Sequence, residues 1–522
     1  MVYLATFEEL QSVWQPEPPT GPSPKKLTLA DGETWWYMGR GGVLLLQKLL
    51  QIGIFMCFLV ACYTAWSFHE MDLDFIPFLL ECSWGRAVVG KGSNDETFWC
   101  DRLDKRSDVC FVRGNVLLYT GNISDVVLRT SNPRTAECQQ MEIIRPYTRK
   151  WEPTTMASVE PVTLRVEGPP NRSRLRRLDL TACDVRHSVA AVLFSTGGFT
   201  GNPYHDFQDV LIPLYVTSQH WRGEVVFVIN DLRWWWVERW GDVLQQLTKY
   251  PIIYTDQDTR SHCFPEMTIG LYVHQELGID SARMLNGESM LDFQNVLGRA
   301  LGRPCRELEA VPKDHSLQLL SKSMDPGVAL GDGTTNITRQ LRLLIVGRTE
   351  NRLLLNEKQI IRLANSLGFK TQVLTPTGRV QVRRIYSTFH ESDVVVGVHG
   401  AGLAHIVFMK RRAVFLQIVP LGTNWPSEHY YKQPAMDLGL QYVEYAIQPK
   451  ESSLSQKYGY DHPIVNNPSR FTSKGWATIK QIYLSNQNLR LNLKRLRGTL
   501  LEAKVKALAA SLTEGTDSLA CL

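Results

Sequence analysis

The sequence predicts an α/β protein built from two tandem, facing Rossmann-like domains behind an N-terminal single-pass membrane anchor. Three observations predict it. Short β-rich apolar runs alternate with helical patterns in two successive series, the signature of parallel sheets covered on both faces. The series are separated by a stretch without periodicity at 306–339, where Gly331-Asp-Gly333 marks a linker. An uncharged apolar run, Leu49 to Trp66, precedes both.

Extended back to Val43, that run reaches the length of a bilayer span. More than a signal peptide's length of chain stands before it, and no clean small-residue cleavage site follows. Arg40, Lys48, Lys25 and Lys26 lie on its N-terminal side and Glu70, Asp72 and Asp74 on the other, so the positive-inside bias orients it as type II. Residues 1–42, with Pro16-Glu-Pro18 and Gly21-Pro-Ser-Pro24, read as a cytosolic tail, 43–66 as a transmembrane signal-anchor, and the remainder as lumenal. Eight of the ten cysteines fall beyond the anchor without a CxxC pair, which suits disulfides of undetermined pairing. Asn122, Asn171 and Asn336 open N-glycosylation sequons there.

At 522 residues the chain exceeds one compact core, and 44% hydrophobic with 21% charged residues is globular composition. A net charge of +5 gives no concentrated basic face, so no nucleic-acid partner is expected. Residues 67–165 are irregular and cysteine-containing, with strands such as Asn115–Thr120, and read as a stem or accessory region. Strands at Ala190–Ser195, Val225–Ile229 and Ile252–Tyr254, with helices at Trp236–Leu247 and Met290–Ala300, place the first Rossmann-like domain at 166–325. Strands at Leu343–Gly347, Thr371–Leu374, Val394–Gly397 and Val414–Val419, with helices near 356–367 and 379–391, place the second at 326–475. A basic amphipathic segment at 476–510 predicts helices packing across both domains, and 511–522 is a tail.

The strongest local signal is Asp393-Val-Val-Val-Gly-Val-His-Gly-Ala-Gly-Leu403. Three valines make a buried strand, the glycines permit a tight turn, and a helix pattern begins at once. Free N–H groups at that edge of a parallel sheet attract anions, and a nucleotide diphosphate is the natural candidate. Arg348 and Arg352 follow another strand of the same domain, so both guanidiniums can reach one pyrophosphate. In the first domain, Asn202 or Pro203 starts a helix on which His205 and Asp209 share a face, a pairing suited to proton abstraction from a hydroxyl. Asp256-Gln-Asp258 has cation-site spacing, but two acids with one gap arise by chance, and no metal ligand is assigned. Trp234-Trp-Trp236 suits either stacking on sugars or the core.

Together, Cys100-Asp101 with Arg106-Ser-Asp-Val-Cys110, Asn202-x-x-His205-x-x-x-Asp209, Cys263-Phe-Pro265, Leu291-Asp-Phe293, Val398-His-Gly-Ala-Gly-Leu403, Gln417-Ile-Val-Pro420 and Pro434-Ala-Met-Asp-Leu-Gly439 resemble glycosyltransferase family 61. The resemblance runs from Cys82 to Leu508. Leu421-Gly-Thr-Asn-Trp425, Glu428-His-Tyr-Tyr431 and Tyr442-Val-Glu-Tyr445 resemble its plant xylan-modifying branch. It implies a GT-B fold, inverting transfer, a UDP-sugar donor, and neither cofactor nor obligatory metal. Asn202, His205 and Asp209 become the acceptor-side catalytic group, with His205 or Asp209 the base. Arg348, Arg352, His399, Gly400, Ala401, Gly402 and Leu403 hold the diphosphate; Gln417 and Val419 lie on the uridine side and Glu428 also on the donor side. The implied reaction moves a pentose from UDP-xylose or UDP-arabinofuranose onto xylan or a xylo-oligosaccharide at the Golgi membrane. A glycoprotein acceptor (xylose onto an N-glycan, or N-acetylglucosamine onto protein) and a non-catalytic Golgi scaffold stay open, as does homo- or hetero-oligomerisation. The chain departs from the family pattern at His405, where a small polar residue or Asn is expected.

Overall fold

The computed structural model describes residues 27–28, 34–35, 96–121, 124–130, 141–168, 183–302 and 340–513. The chain divides into two units, 1–83 and 84–522. In the first, β1 (Leu27–Thr28) and β2 (Thr34–Trp35) pair antiparallel. The anchor at 43–66 and the three sequon asparagines lie outside the described residues. Among the described residues no helix is long and apolar enough to cross a membrane.

Among the described residues the second unit holds two sheets. The first has ten strands: β3 (Thr97–Asp101), β4 (Val109–Tyr119), β5 (Ser124–Arg129), β6 (Met141–Ile144), β7 (Val162–Glu167), β8 (Val185–Arg186), β9 (Ala190–Ser195), β10 (Val225–Asn230), β11 (Ile253–Tyr254) and β12 (His262–Ile269). Their order is β11-β10-β9-β12-β4-β5-β7-β6, with β3 on β4 and β8 on β12. Strands β9 and β10 are buried at every position, as parallel strands covered on both faces must be. Strand β12 runs parallel to β9 but antiparallel to β4, and so joins the parallel half to the rest. Its register on β4 shifts between Phe264 and Glu266, where Pro265 has no N–H to give the ladder.

The region read as a stem therefore supplies, from Thr97 onward, five strands of this sheet. They pair largely with one another, and the long-range pairing of β4 with β12 joins them to the parallel half. Among the described residues Cys100 pairs with Cys110 and Cys183 with Cys263 in disulfides.

Helix α1 leaves the turn after β9. It starts as Pro203–His205, passes through a π-helical turn at Asp206–Leu211 and continues as Ile212–Ser218. Pro213 explains the widened turn: without an N–H it cannot bond the Asp209 carbonyl, which the Thr148 hydroxyl takes at 2.9 Å instead. Helices α2 (Trp234–Leu247) and α3 (Met290–Leu301) follow, the latter opened by a capping box of Ser289 and Asp292.

The second sheet is wholly parallel: β13 (Arg342–Val346), β14 (Lys370–Leu374), β15 (Val394–Val398), β16 (Val414–Val419) and β17 (Gln441–Ala446), in the order β14-β13-β15-β16-β17. Helices α4 (Glu357–Ser366) and α5 (Val382–His390) are crossovers. The strand order reverses between β13 and β15, where open α/β sheets bind their ligands. The segment after β15, Ala401–Phe408, is a 3₁₀ helix, where an α-helical pattern was expected.

One apolar cluster joins the sheets. Phe207 of α1 meets Phe408 with ring centroids 5.4 Å apart, and Gln294 of α3 donates to the carbonyls of Val407 and Met409. The terminal helix α6 (Leu493–Thr513) packs Leu496, Leu500, Ala503 and Ala507 into the core of the second sheet, beside α4 and β15–β17. It covers that sheet rather than spanning both, because the outer face of β15–β17 is apolar and needs a partner. Replacing Leu496 by Ala is expected to lower stability by about 2–5 kcal/mol in urea denaturation, as for other buried leucines.

Candidate functional site

The turn between β9 and α1 is fixed by buried polar bonds. Asn202 caps the helix, its side chain accepting from the Tyr204 N–H at 3.1 Å. Asp206, buried, accepts from the Gly201 N–H and from the indoles of Trp236 and Trp240. Burial raises the Asp206 pKa against the pull of those donors. Of the three tryptophans in the sequence cluster, Trp236 is thus core, while Trp234 and Trp235 are about half exposed, at 54% and 48%.

Asp209 is buried on the next turn and carries a full set of partners. Arg149 donates from Nε to both carboxylate oxygens and pairs through Nη2 at 2.9 Å; Tyr147 donates at 2.9 Å; His205 Nδ1 lies 2.8 Å away. Burial alone would raise its pKa, but the His205 hydrogen bond and the Arg149 charge reverse the sign and hold the carboxyl ionised. Arg149 Nη2 also lies 3.1 Å from His205 Nδ1. Guanidinium only donates and carboxylate only accepts, so an Nδ1–H bonds Asp209 while a bare Nδ1 accepts from Arg149 instead. With Nδ1–H toward Asp209, the Nε2 of His205, which is partly exposed, carries the lone pair open to a proton. Asp209, enclosed by donors, is placed to orient it.

Tyr147 and Arg149 were missed at the sequence level. They sit in the region read as a stem, and nothing local marks Pro146-Tyr147-Thr148-Arg149 as belonging beside α1.

At the second sheet's switch point, Arg348 and Arg352 follow β13 and Gly400 follows β15. Asn351 and Arg352 both adopt left-handed backbone, with φ of 43° and 57°, a strained conformation for two successive non-glycine residues. This brings the guanidiniums against the glycine turn. Arg352 donates to the His399 carbonyl at 2.8 Å and Arg348 to the Asn351 carbonyl at 2.8 Å. A β-carbon on Gly400 would displace the tip of the Arg348 side chain, and the φ of 156° there is one that side chains rarely adopt.

Among the described residues neither arginine has a carboxylate partner, and Arg352 Nε is buried without any acceptor. Burial lowers the pKa of both; for Arg352, burial and the neighbouring Arg348 charge push it down to about 9. Two desolvated cations without a counter-charge favour an incoming anion. The first N–H groups of the 3₁₀ helix, at Ala401 and Gly402, open toward the same edge.

His399 is buried and pushed down to about 3 by burial and then by Arg352 and Arg348, so it is neutral. Its Nδ1 accepts from the Gln417 amide at 3.2 Å, and Gln417 in turn accepts from the Tyr442 hydroxyl at 2.9 Å. Gln417, expected on the uridine side, is fully buried and engaged in orienting His399. Leu403 packs under Gly397. Val419 lines a cavity of about 560 Å³ beyond the ends of β16 and β17, with Pro420, Trp425, Asn467, Thr472 and Ile479. Glu428 sits on the surface, paired only with Lys432 at 3.4 Å among the described residues, and near enough to Tyr442 to help raise its pKa after burial and Glu444. Asp256 and Asp258 serve local structure, accepting from the Leu232 N–H and from Arg260.

Tyr204 and Tyr431 connect the two centres. Tyr431 donates to the Gly400 carbonyl at 2.9 Å, and its ring centroid lies 6.1 Å from that of Tyr204, the neighbour of His205. Tyr204 donates to Glu276, which pairs with Arg106 at 2.6 Å.

A histidine held by a buried carboxylate and two arginines without a carboxylate partner among the described residues are groups that a group transferase with an anionic donor would need. The chain belongs to glycosyltransferase family 61 and is a glycosyltransferase. The Glycosyltransferase 61 family model matches residues 204–416. The chain is 39% identical over 415 residues to Xylan glycosyltransferase MUCI21 of Arabidopsis thaliana, covering 79% of this chain and 80% of that protein. It is 31% identical to Beta-1,2-xylosyltransferase XYXT1 of Oryza sativa subsp. japonica, covering 77% and 83%. To Alpha-1,3-arabinosyltransferase XAT3 of the same rice it is 34% identical, covering 77% and 64%.

His405 lies fully buried against Phe207, Phe389 and Phe408, with Nδ1 bonded to the Gly402 carbonyl at 2.9 Å and Nε2 without a partner among the described residues. Burial pushes its pKa down to about 4, from an ordinary 6.5. The unfolded chain therefore binds a proton that the folded chain refuses, and stability is lost as pH falls from about 6.5 toward 4. Replacing His405 by Asn is expected to shrink the drop in urea midpoint between about pH 7 and about pH 5; His399 keeps a residual drop of the same sign.

Proposed function

We propose that this glycosyltransferase has a GT-B architecture and moves a pentose, xylose or arabinofuranose, from a UDP-sugar onto a xylan chain with inversion. Its place is the Golgi lumen, held by 43–66 as a type II anchor. The observation that carries the reading is the buried pair Arg348 and Arg352, without carboxylate partners among the described residues, at the switch point beside Gly400. The names of the relatives supply the xylan and the pentoses.

The donor diphosphate takes the place of the missing counter-charge, between the two guanidiniums and the N–H groups of Ala401 and Gly402. The nucleoside enters the cavity beside Val419, whose volume suits a small-ligand site. His205 Nε2 accepts the proton of the acceptor hydroxyl, and Asp209 stabilises the imidazolium that results. The acceptor oxygen bonds the anomeric carbon as the bond to the departing UDP oxygen breaks, and the arginines hold the charge that develops there. The step uses no metal ion.

The full chain, purified in detergent, is to be incubated with UDP-xylose, UDP-arabinofuranose or UDP-N-acetylglucosamine against xylo-oligosaccharide, N-glycan and peptide acceptors. Pentose on xylo-oligosaccharide is the expected product; product on a glycoprotein acceptor alone, or none at all, would sink the reading. His205→Ala is expected to lower kcat by roughly 10²–10⁴-fold. Asp209→Asn should act in the same direction through the tautomer, and both variants should still bind UDP in calorimetry. Arg348→Ala and Arg352→Ala should do the opposite, each weakening UDP binding by about tenfold or more.

A further inference from the structure

Around His205 the surface is aromatic and open. The Phe199 ring lies 4.6 Å from the His205 ring and is 38% exposed. The Trp235 indole rests on the next part of the same turn, so close that a β-carbon on Gly201 would come within 2.7 Å of it. Trp151 lies under Arg149, whose Cζ is 4.9 Å from the ring centroid, and Arg149 reaches His205 Nδ1 at 3.1 Å. Trp151 and Trp235 are 46% and 48% exposed.

None of the three is needed to fill the core, which Trp236, Trp240 and Phe207 occupy. Large, half-open aromatic side chains grouped around a reactive residue mark a surface that is covered in use. Any chain whose hydroxyl reaches His205 Nε2 must cross this surface. Its chemistry selects the occupant: aromatic faces beside polar groups stack on the C–H faces of pyranose rings while leaving the hydroxyls to hydrogen-bond. A pentopyranose, with no hydroxymethyl arm, stacks through either face.

We propose that Phe199, Trp235 and Trp151 are acceptor subsites that hold successive sugars of an extended pyranose chain on both sides of the ring presented to His205. The inference rests on the proposed xylan reading, and deepens it: the enzyme recognises a polymer segment rather than a single terminal sugar. The tryptophan cluster thereby divides its labour. Trp236 anchors the turn from below and Trp235 meets the acceptor from above.

The test is calorimetric and kinetic on the full chain in detergent. The wild type is expected to bind xylohexaose about tenfold or more tightly than xylobiose. Trp151→Ala, Trp235→Ala and Phe199→Ala should each raise the acceptor KM by several-fold to about tenfold and flatten that length dependence, with UDP affinity unchanged. Trp235→Phe and Trp151→Phe should restore most of it, which a purely structural role would not require. Transfer to xylo-oligosaccharide with KM and length dependence untouched in all three alanine variants would overturn the subsites while leaving the proposed activity standing. A wild type that transfers only to glycoprotein acceptors would overturn both.

Discussion

The buried carboxylate of Asp209 is the interaction on which the rest of the site depends. Left unpaired in the interior it would cost several kcal/mol, so the fold must surround it with donors. Those donors come from afar: Tyr147 and Arg149 from the loop before β7, and His205 from the preceding turn of α1. Satisfying Asp209 therefore ties the helix to the loop between β6 and β7 and places the imidazole ring beside it. The same network leaves Asp209 no room to act on a substrate, which separates the two roles that an Asp–His pair can exchange.

The donor side inverts this arrangement. There the buried charges, Arg348 and Arg352, have no opposite charge among the described residues, and left-handed backbone at Asn351 and Arg352 holds them against Gly400. One half of the site is electrostatically complete and rigid; the other is incomplete until an anion arrives. Tyr204 and Tyr431 pack between them, and the Phe207–Phe408 contact gives both halves a common core.

Local pattern was sufficient wherever a residue's role depends on its near neighbours. The strands at 190–195, 394–398 and 414–419, the glycine turn, the arginines after β13 and the cap at Asn202 were all legible, because burial on both faces, φ freedom and capping are short-range requirements. Failures came where partners are remote. The strands from 97 to 167 pair largely with one another, but it is the pairing of β4 with the distant β12 that draws them into the sheet, and an irregular sequence without that partner looks like a stem or accessory region. Gln417 stands in a motif that suggested ligand contact; it is buried and bonds His399 and Tyr442, neighbours that no local pattern announces.

By itself the sequence determined the α/β alternation, the family, and which residues form the anion-receptive turn, since these are written in periods of a few residues. Only the tertiary structure decided that Asp209 is buried among donors while His205 stays partly exposed. It also brought Arg149 and Tyr147 into the centre and left Trp235 on the surface while burying Trp236. Those outcomes depend on which distant donors reach a carboxylate and which faces remain uncovered once the sheets pack, and neither is a property of any local stretch of chain.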